Sequence, residues 1–265
     1  MEYATFLDAA HQAADRARII LNEHRQNFRF QHIHFETKDD ESPVTEVDQF
    51  VENEIRKIIE NIYPEHGILG EEFGAEKIQS EFVWVIDPID GTKQFIAGLP
   101  VFGVLIALCH NGIPVLGIIE HPALNERWVG IKGHQSTLNG QPISTRDCTT
   151  LETALMSSSN TEPVLAEHLL GYQNIIAATK WRIYGVACYA YACLATGKID
   201  LSIDSGGMRE VDYCALVPVI EGAGGVISDW NGNPLTIHSG KTVVAAGTPA
   251  LHQQAIALLR KFQAT

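Results

Sequence analysis

Trp84-Val85-Ile86-Asp87-Pro88-Ile89-Asp90-Gly91-Thr92-Lys93 sets two carboxylates three residues apart, directly after large apolar and β-branched side chains, with a Gly-Thr pair following at once. Residues 82–86 read as a buried strand. Pro88 fixes φ and donates nothing to a ladder, so the strand is expected to stop there, with Asp87 and Asp90 projecting from a rigid turn. Oxygen donors held stiffly at a strand end suit a hard divalent cation. Gly91 and Thr92 would open a helix, whose unpaired N–H groups and hydroxyl suit an anion. The same D-x-x-D between proline and glycine also fits an ordinary acidic turn.

Flanking segments weigh on that choice. Thr45 followed three residues later by Asp48 is a variant capping box, opening a helix over 45–62 whose Val47, Phe50, Val51, Ile55, Ile58, Ile59 and Ile62 form a buried stripe. Asp48 could merely complement the helix dipole. Before the central turn stand Gly70-Glu71-Glu72-Phe73-Gly74. Adjacent carboxylates are usually solvated, yet Gly70 permits close backbone approach, and Glu71 is the one expected to turn inward.

The rest supplies a frame. Residues 3–27 have helical periodicity, and 28–36 alternate imperfectly as an edge strand, with His32 and His34 read as exposed. Strands are expected over 101–109, 115–119 and 127–131, the first two joined at Asn111-Gly112. Residues 133–142 are polar and turn-rich, so the first half reads as strand-dense with helices on one side. Further on, strands are expected over 151–157, 199–204, 226–228 and 242–246, and helices over 162–170, 186–196, 212–223 and 249–262. Pro218 should kink the third of these helices or shift its start. Alternating strands and helices imply an α/β half, giving a boundary near 145: residues 1–145, and 146–265.

With 265 residues, 45% apolar and 19% charged, the chain can bury a substantial core. A formal charge of −13 argues against nucleic acid as a partner. Five cysteines without a C-x-x-C suit core packing in a reducing compartment. No signal peptide and no membrane span are expected, and the location is read as cytoplasmic.

Ser42-Pro43-Val44-Thr45-x-x-Asp48, Gly70-Glu71-Glu72, Asp87-Pro88-Ile89-Asp90-Gly91-Thr92, and Asp212 with Ala223-Gly224-Gly225-Val226, in this order, resemble the inositol monophosphatase superfamily. The resemblance implies an α+β fold, the layered α-β-α-β-α sandwich of the inositol monophosphatase and fructose bisphosphatase type, and a homodimer. It implies a Mg²⁺-dependent phosphoric monoester hydrolase with two or three ions, in which a metal-activated water attacks a small phosphate monoester in line. Glu71, Asp87, Asp90, Asp212 and the backbone carbonyl of Ile89 would match the metal ligands, and Gly91 and Thr92 the phosphate cradle. Asp48 and Thr92 would orient the water, with Glu71 among the catalytic groups.

Within that superfamily Thr92-Lys93-Gln94-Phe95-Ile96-x-Gly98, Glu126-Arg127-Trp128-Val129-Gly130, Cys188-Tyr189-Ala190-Tyr191 and the 212–222 stretch are similar to the histidinol-phosphatase branch. The chain departs from that branch at Ala187, where an acidic residue is expected, and at Arg209-Glu210-Val211, where Lys-Pro-aromatic is usual. Asp204 and Arg209 are candidates for the substrate-facing rim. The resemblance makes L-histidinol phosphate the expected substrate. The alternatives are inositol 1-phosphate, a 3′(2′),5′-bisphosphate nucleotide, or a silent scaffold that has kept the fold.

Overall fold

The structure, a computed structural model, describes residues 3–27, 33–37, 43–159 and 166–260. A 3-10 turn, Tyr3–Phe6, leads into helix α1, Leu7–Asn27. Its buried Ala9, Ala10, Ala13, Ala14 and Ala17 are small enough for α2, Glu46–Ile62, to pack closely against it. Of the strand expected over 28–36, residues 28–32 lie outside the described residues and 33–35 are irregular. Only β1, Glu36–Thr37, pairs with β2, Pro43–Val44. His34 is exposed as expected, and His32 lies outside the described residues. The buried stripe of α2 also differs from expectation. Phe50 and Ile62 are exposed, whereas Glu52 and Arg56 are buried.

Strands β3 (Gly67–Gly70), β4 (Gly74–Glu76) and β5 (Phe82–Asp90) precede a short helix α3, Thr92–Ile96. Strands β6 (Gly103–His110), β7 (Ile113–His121), β8 (Glu126–Ile131), β9 (Thr137–Leu138) and β10 (Gln141–Pro142) follow. Among the described residues they form an eight-stranded sheet in the order β10-β9-β8-β7-β6-β5-β3-β4. Strand β5 does not stop at Pro88. Its register against β6 shifts between Asp87 and Asp90, so the missing N–H falls within a bulge, where the ladder is already interrupted. The polar stretch 133–142 hides the small β9–β10 hairpin.

In the second half Leu151–Thr153 is a 3-10 turn before β11, Leu155–Ser158. Of the helix expected over 162–170, residues 162–165 lie outside the described residues. Ala166–His168 is a 3-10 turn, and helix α4 runs further on, Leu169–Ala178. Strand β12, Trp181–Tyr184, was not expected: all four residues are exposed, so it carries no apolar alternation. Then come α5 (Tyr189–Ala195), β13 (Leu201–Ser205), α6 (Glu210–Tyr213), α7 (Leu216–Gly222), β14 (Val226–Ser228), β15 (Thr242–Ala246) and α8 (Pro249–Arg260). The single helix expected over 212–223 is thus two. Pro218 occupies the first turn of α7, where its missing N–H leaves no intrahelical bond unmade. A five-stranded sheet is ordered β12-β11-β13-β15-β14.

Side-chain alternation along β5 explains the layering. Trp84 and Ile86 pack into one core with α1 and α2; Val83 and Val85 face a second core containing α5, α7, β14 and β15. Helices therefore cover both faces of the larger sheet, not one. A third core joins the outer face of the smaller sheet to α4 and α8. The layers run α-β-α-β-α, with β5 an interior strand of the larger sheet, between β6 and β3.

A candidate metal and phosphate site

Four acidic side chains reach one cavity from three parts of the chain. The β5 bulge delivers Asp87 and Asp90, α6 delivers Asp212, and the turn after β3 delivers Glu71. Oxygen atoms of Asp87, Asp90 and Asp212 lie within 4.8 Å of one another. Asp87 is buried and accepts the Ile89 N–H at 3.0 Å, which stiffens the bulge. Asp90 accepts the Cys188 N–H at 2.5 Å.

Two aspartates do double duty. At the start of α2, Asp48 Oδ2 accepts the Thr45 N–H at 2.8 Å and the Thr45 hydroxyl at 2.5 Å. Its other oxygen faces Thr92 Oγ1 at 3.5 Å. Asp212 likewise accepts the N–H of its N-cap, Arg209, at 2.6 Å, while its carboxylate borders the cavity. Capping and site-facing roles are compatible because a carboxylate has two oxygens.

The electrostatics call for a cation. Burial lifts Asp87 well above the usual carboxylate range, and the charges of Glu71, Asp90 and Asp212 lift it further. Asp212 is raised by burial, then by Asp90 and Glu71. Burial raises Asp90 too, against the lowering effect of its Cys188 hydrogen bonds. Asp48 is pushed up to about 6 by burial, opposed by Thr45. Convergent carboxylates that repel one another are a hard-cation donor set, and these residues could hold a metal ion.

Gly91 and Thr92 border the same cavity, which measures about 180 Å³. Gly91 has φ of 85°, a conformation open to glycine, and it caps α3. Thr92 Oγ1 donates to the Ile89 carbonyl at 3.0 Å. An adjoining chamber of about 70 Å³ shares Asp90 and Asp212 and is closed by Tyr191, Asp204, Ser205, Met208 and Leu216. Asp204 is therefore on its floor, not at an exposed rim. It is buried and accepts from Tyr191 OH at 2.6 Å, Ser159 N at 2.8 Å and Ser159 Oγ at 3.1 Å. Arg209 is exposed and borders the larger cavity.

With that geometry in hand, comparison with known proteins gives the lineage: residues 2–264 match the inositol monophosphatase family. The chain belongs to the inositol monophosphatase family. It is a phosphatase, as members of that family are. It is 46% identical over 228 residues to a bifunctional phosphatase, IMPL2, of Arabidopsis thaliana chloroplasts, covering 83% of this chain and 66% of that longer protein. A histidinol-phosphatase of Mycobacterium tuberculosis is 33% identical over 258 residues, covering 93% of this chain and 94% of its own. An inositol monophosphatase structure from Zymomonas mobilis superposes with a TM-score of 0.88 at 38% identity, covering 98% of this chain and 99% of that one.

Other groups bordering the cavities carried no assigned role in the sequence: Lys93, Gln94, Ser159, Cys188 and Tyr191. Lys93 and Gln94 were adjacent to Thr92 and legible by proximity. Ser159 gave no signal, because its tie to Asp204 exists only in the fold.

Proposed function

We propose that this phosphatase hydrolyses a small phosphate monoester with two or three Mg²⁺ ions, and that L-histidinol phosphate is the substrate. The observation carrying the reading is the convergence of Asp87, Asp90 and Asp212 beside the Asp48–Thr92 contact. When bound, Mg²⁺ supplies positive charge for the ester's oxygens and for ionising a water. Glu71, Asp87, Asp90, Asp212 and the Ile89 carbonyl are the proposed ligands. The Gly91 and Thr92 N–H groups seat the phosphate. Thr92 Oγ1 and Glu71 orient the water, and Asp48 Oδ1 is the acceptor toward which Thr92 passes its hydrogen bond. The water oxygen bonds to phosphorus as the ester P–O bond breaks; the water gives up one proton and the departing alkoxide takes up one from solvent, so the proton count is unchanged. The alcohol lies in the chamber floored by Asp204, with Arg209 at its mouth. Residues 1–145 then supply most ligands, and 146–265 supply Asp212 and the alcohol-facing surface.

Similarity to two proteins named histidinol-phosphatase supports the substrate. Ala187 favours a second reading, inositol 1-phosphate, because it puts a methyl where the first branch is acidic. Phosphate release from histidinol phosphate, inositol 1-phosphate and 3′-phosphoadenosine 5′-phosphate, measured with Mg²⁺, tests the choice. A preference of at least about tenfold in kcat/KM for histidinol phosphate is expected, and equal or reversed rates reject it. A homodimer is proposed too, supported by the edge strand β12, where Trp181 is 59% exposed. Light scattering at the monomer mass would reject it. A reducing, cytoplasmic location is in keeping with five free, buried cysteines.

A further inference from the structure

Asp48, Glu52 and Arg56 recur every fourth residue on one face of α2, and all three are buried, with 1%, 0% and 5% exposure. Only Asp48 belongs to the site described above. The Glu52 carboxylate reaches off the helix into the turn between β3 and β4. Its Oε2 accepts the Glu72 N–H at 2.7 Å; its Oε1 accepts the Phe73 N–H at 3.2 Å and the Nε–H of Arg56 at 2.8 Å. Arg56 clasps the far side of the same turn, donating through Nη2 to the Gly74 carbonyl at 2.5 Å and through Nη1 to Glu76 at 3.2 Å. The Glu71 N–H ends on the Ile86 carbonyl of β5 at 3.1 Å.

Three consecutive N–H groups, at 71, 72 and 73, are thus fixed from two sides. The peptide planes that aim Glu71 cannot turn without breaking one of these bonds. The fit is close: a Cβ at Gly70 would lie 1.9 Å from Glu52 Oε1. A carboxylate suits the position because three donors converge on it, and a neutral amide would offer one oxygen where two are used. Arg56 compensates its charge, which a buried carboxylate requires.

We infer that Glu52, held by Arg56, is a positioning residue that fixes the backbone carrying Glu71 and thereby sets how tightly the acidic cavity binds its divalent cation. The inference rests on the proposed phosphatase site. Groups that orient metal ligands from behind typically change metal affinity about 10–100-fold when replaced.

The test compares parent, Glu52→Gln and Arg56→Lys. Mg²⁺ binding is read without substrate, by calorimetric titration and by the rise in melting temperature, beside phosphate release as a function of Mg²⁺. Glu52→Gln should raise the half-saturating Mg²⁺ concentration about 10-fold in both titrations, with most of kcat recovered at saturating Mg²⁺. Arg56→Lys keeps the charge but loses the forked reach to Gly74, and should shift both curves the same way by less. An unshifted Mg²⁺ curve in folded Glu52→Gln overturns the inference, as does a uniform loss of kcat without a shift. If circular dichroism finds Glu52→Gln unfolded, Arg56→Lys decides: a shifted curve supports the inference and an unshifted one overturns it. A parent that binds no Mg²⁺ and releases no phosphate overturns the site itself, whereas a Mg²⁺-binding parent with unshifted variants overturns only the role of Glu52.

Discussion

Gly91 and Ala187 sit against each other at one wall of the cavity, each in a left-handed turn, with φ of 85° and 48°. The Gly91 turn follows the β5 bulge and starts α3; the Ala187 turn follows the edge strand β12 and precedes α5. Both serve Asp90, the first by chain continuity and the second by aiming the Cys188 N–H at its carboxylate. A hydrogen bond from Gln94 Nε2 to the Gly185 carbonyl at 2.8 Å ties the turns together. One turn uses glycine and the other tolerates alanine because the space is asymmetric. A Cβ on Gly91 would meet the Ala187 Cβ at 2.9 Å. Only one of the pair can carry a methyl, and the chain has placed it on the side away from the proposed phosphate cradle.

The largest effect expected comes from Asp90→Asn, which keeps an acceptor for Cys188 but removes charge from the carboxylate cluster. Loss of several kcal/mol of charge stabilisation corresponds to about 10³-fold or more in kcat/KM. Its melting temperature in EDTA should match or exceed the parent's, because one repelling charge is gone. Undiminished phosphate release would remove both turns from the chemistry.

Gly91→Ala should come next. Alanine there pays about 1–2 kcal/mol for the left-handed backbone, and the clash with Ala187 adds an overpacking cost of about 1–3 kcal/mol. Placing the change in an Ala187→Gly background should recover the clash but not the backbone cost. Urea unfolding of the four proteins measures that coupling, and strict additivity would mean that the turns do not touch in solution.

His121 braces the Ala187 turn from behind and offers a pH handle. Its Nδ1 donates to the Phe102 carbonyl at 2.8 Å, and Nε2 faces Cys188 Sγ at 3.6 Å. Burial pushes this ring down from 6.5 to about 4. The unfolded chain therefore binds the extra proton first. The ring's contribution is fully present above about pH 6.5 and is lost as pH falls toward 4, amounting to about 2 kcal/mol by pH 5. Unfolding free energies at pH 7.5 and 5.0 should differ by about that much more in the parent than in His121→Gln. Equal differences would show that the ring is not held neutral behind Cys188.

The two turns also mark how far the sequence could be read. Asp87-Pro88-Ile89-Asp90-Gly91-Thr92 was legible because strand, paired carboxylates and helix start are consecutive. Only the bulge escaped, since a shifted register keeps Pro88 inside β5 without cost to the ladder. Thr45 and Asp48 were legible as a cap, and the cap geometry is also what leaves one Asp48 oxygen facing Thr92. Glu52 and Arg56 were hidden by the habit of reading charged helix positions as solvated, when tertiary partners had taken them inside. The Ala187 turn had no local signature at all. Its strand β12 lacks apolar alternation, and its meaning comes from Gly91, nearly a hundred positions earlier in the chain.

The smallest effect expected is Ala187→Gly alone. Glycine relieves a left-handed strain of about 1–2 kcal/mol for an L residue. Against this stands an entropic cost of roughly 0.5–1 kcal/mol, together with the loss of a buried methyl worth about 0.8 kcal/mol. These terms nearly cancel, so stability should change by no more than about 1 kcal/mol, well below the cost of Gly91→Ala. If denaturant unfolding instead finds Ala187→Gly as damaging as Gly91→Ala, the methyl is a packing element that the cavity wall requires. The asymmetry between the turns would then reflect a filled contact at Ala187 as much as an excluded one at Gly91.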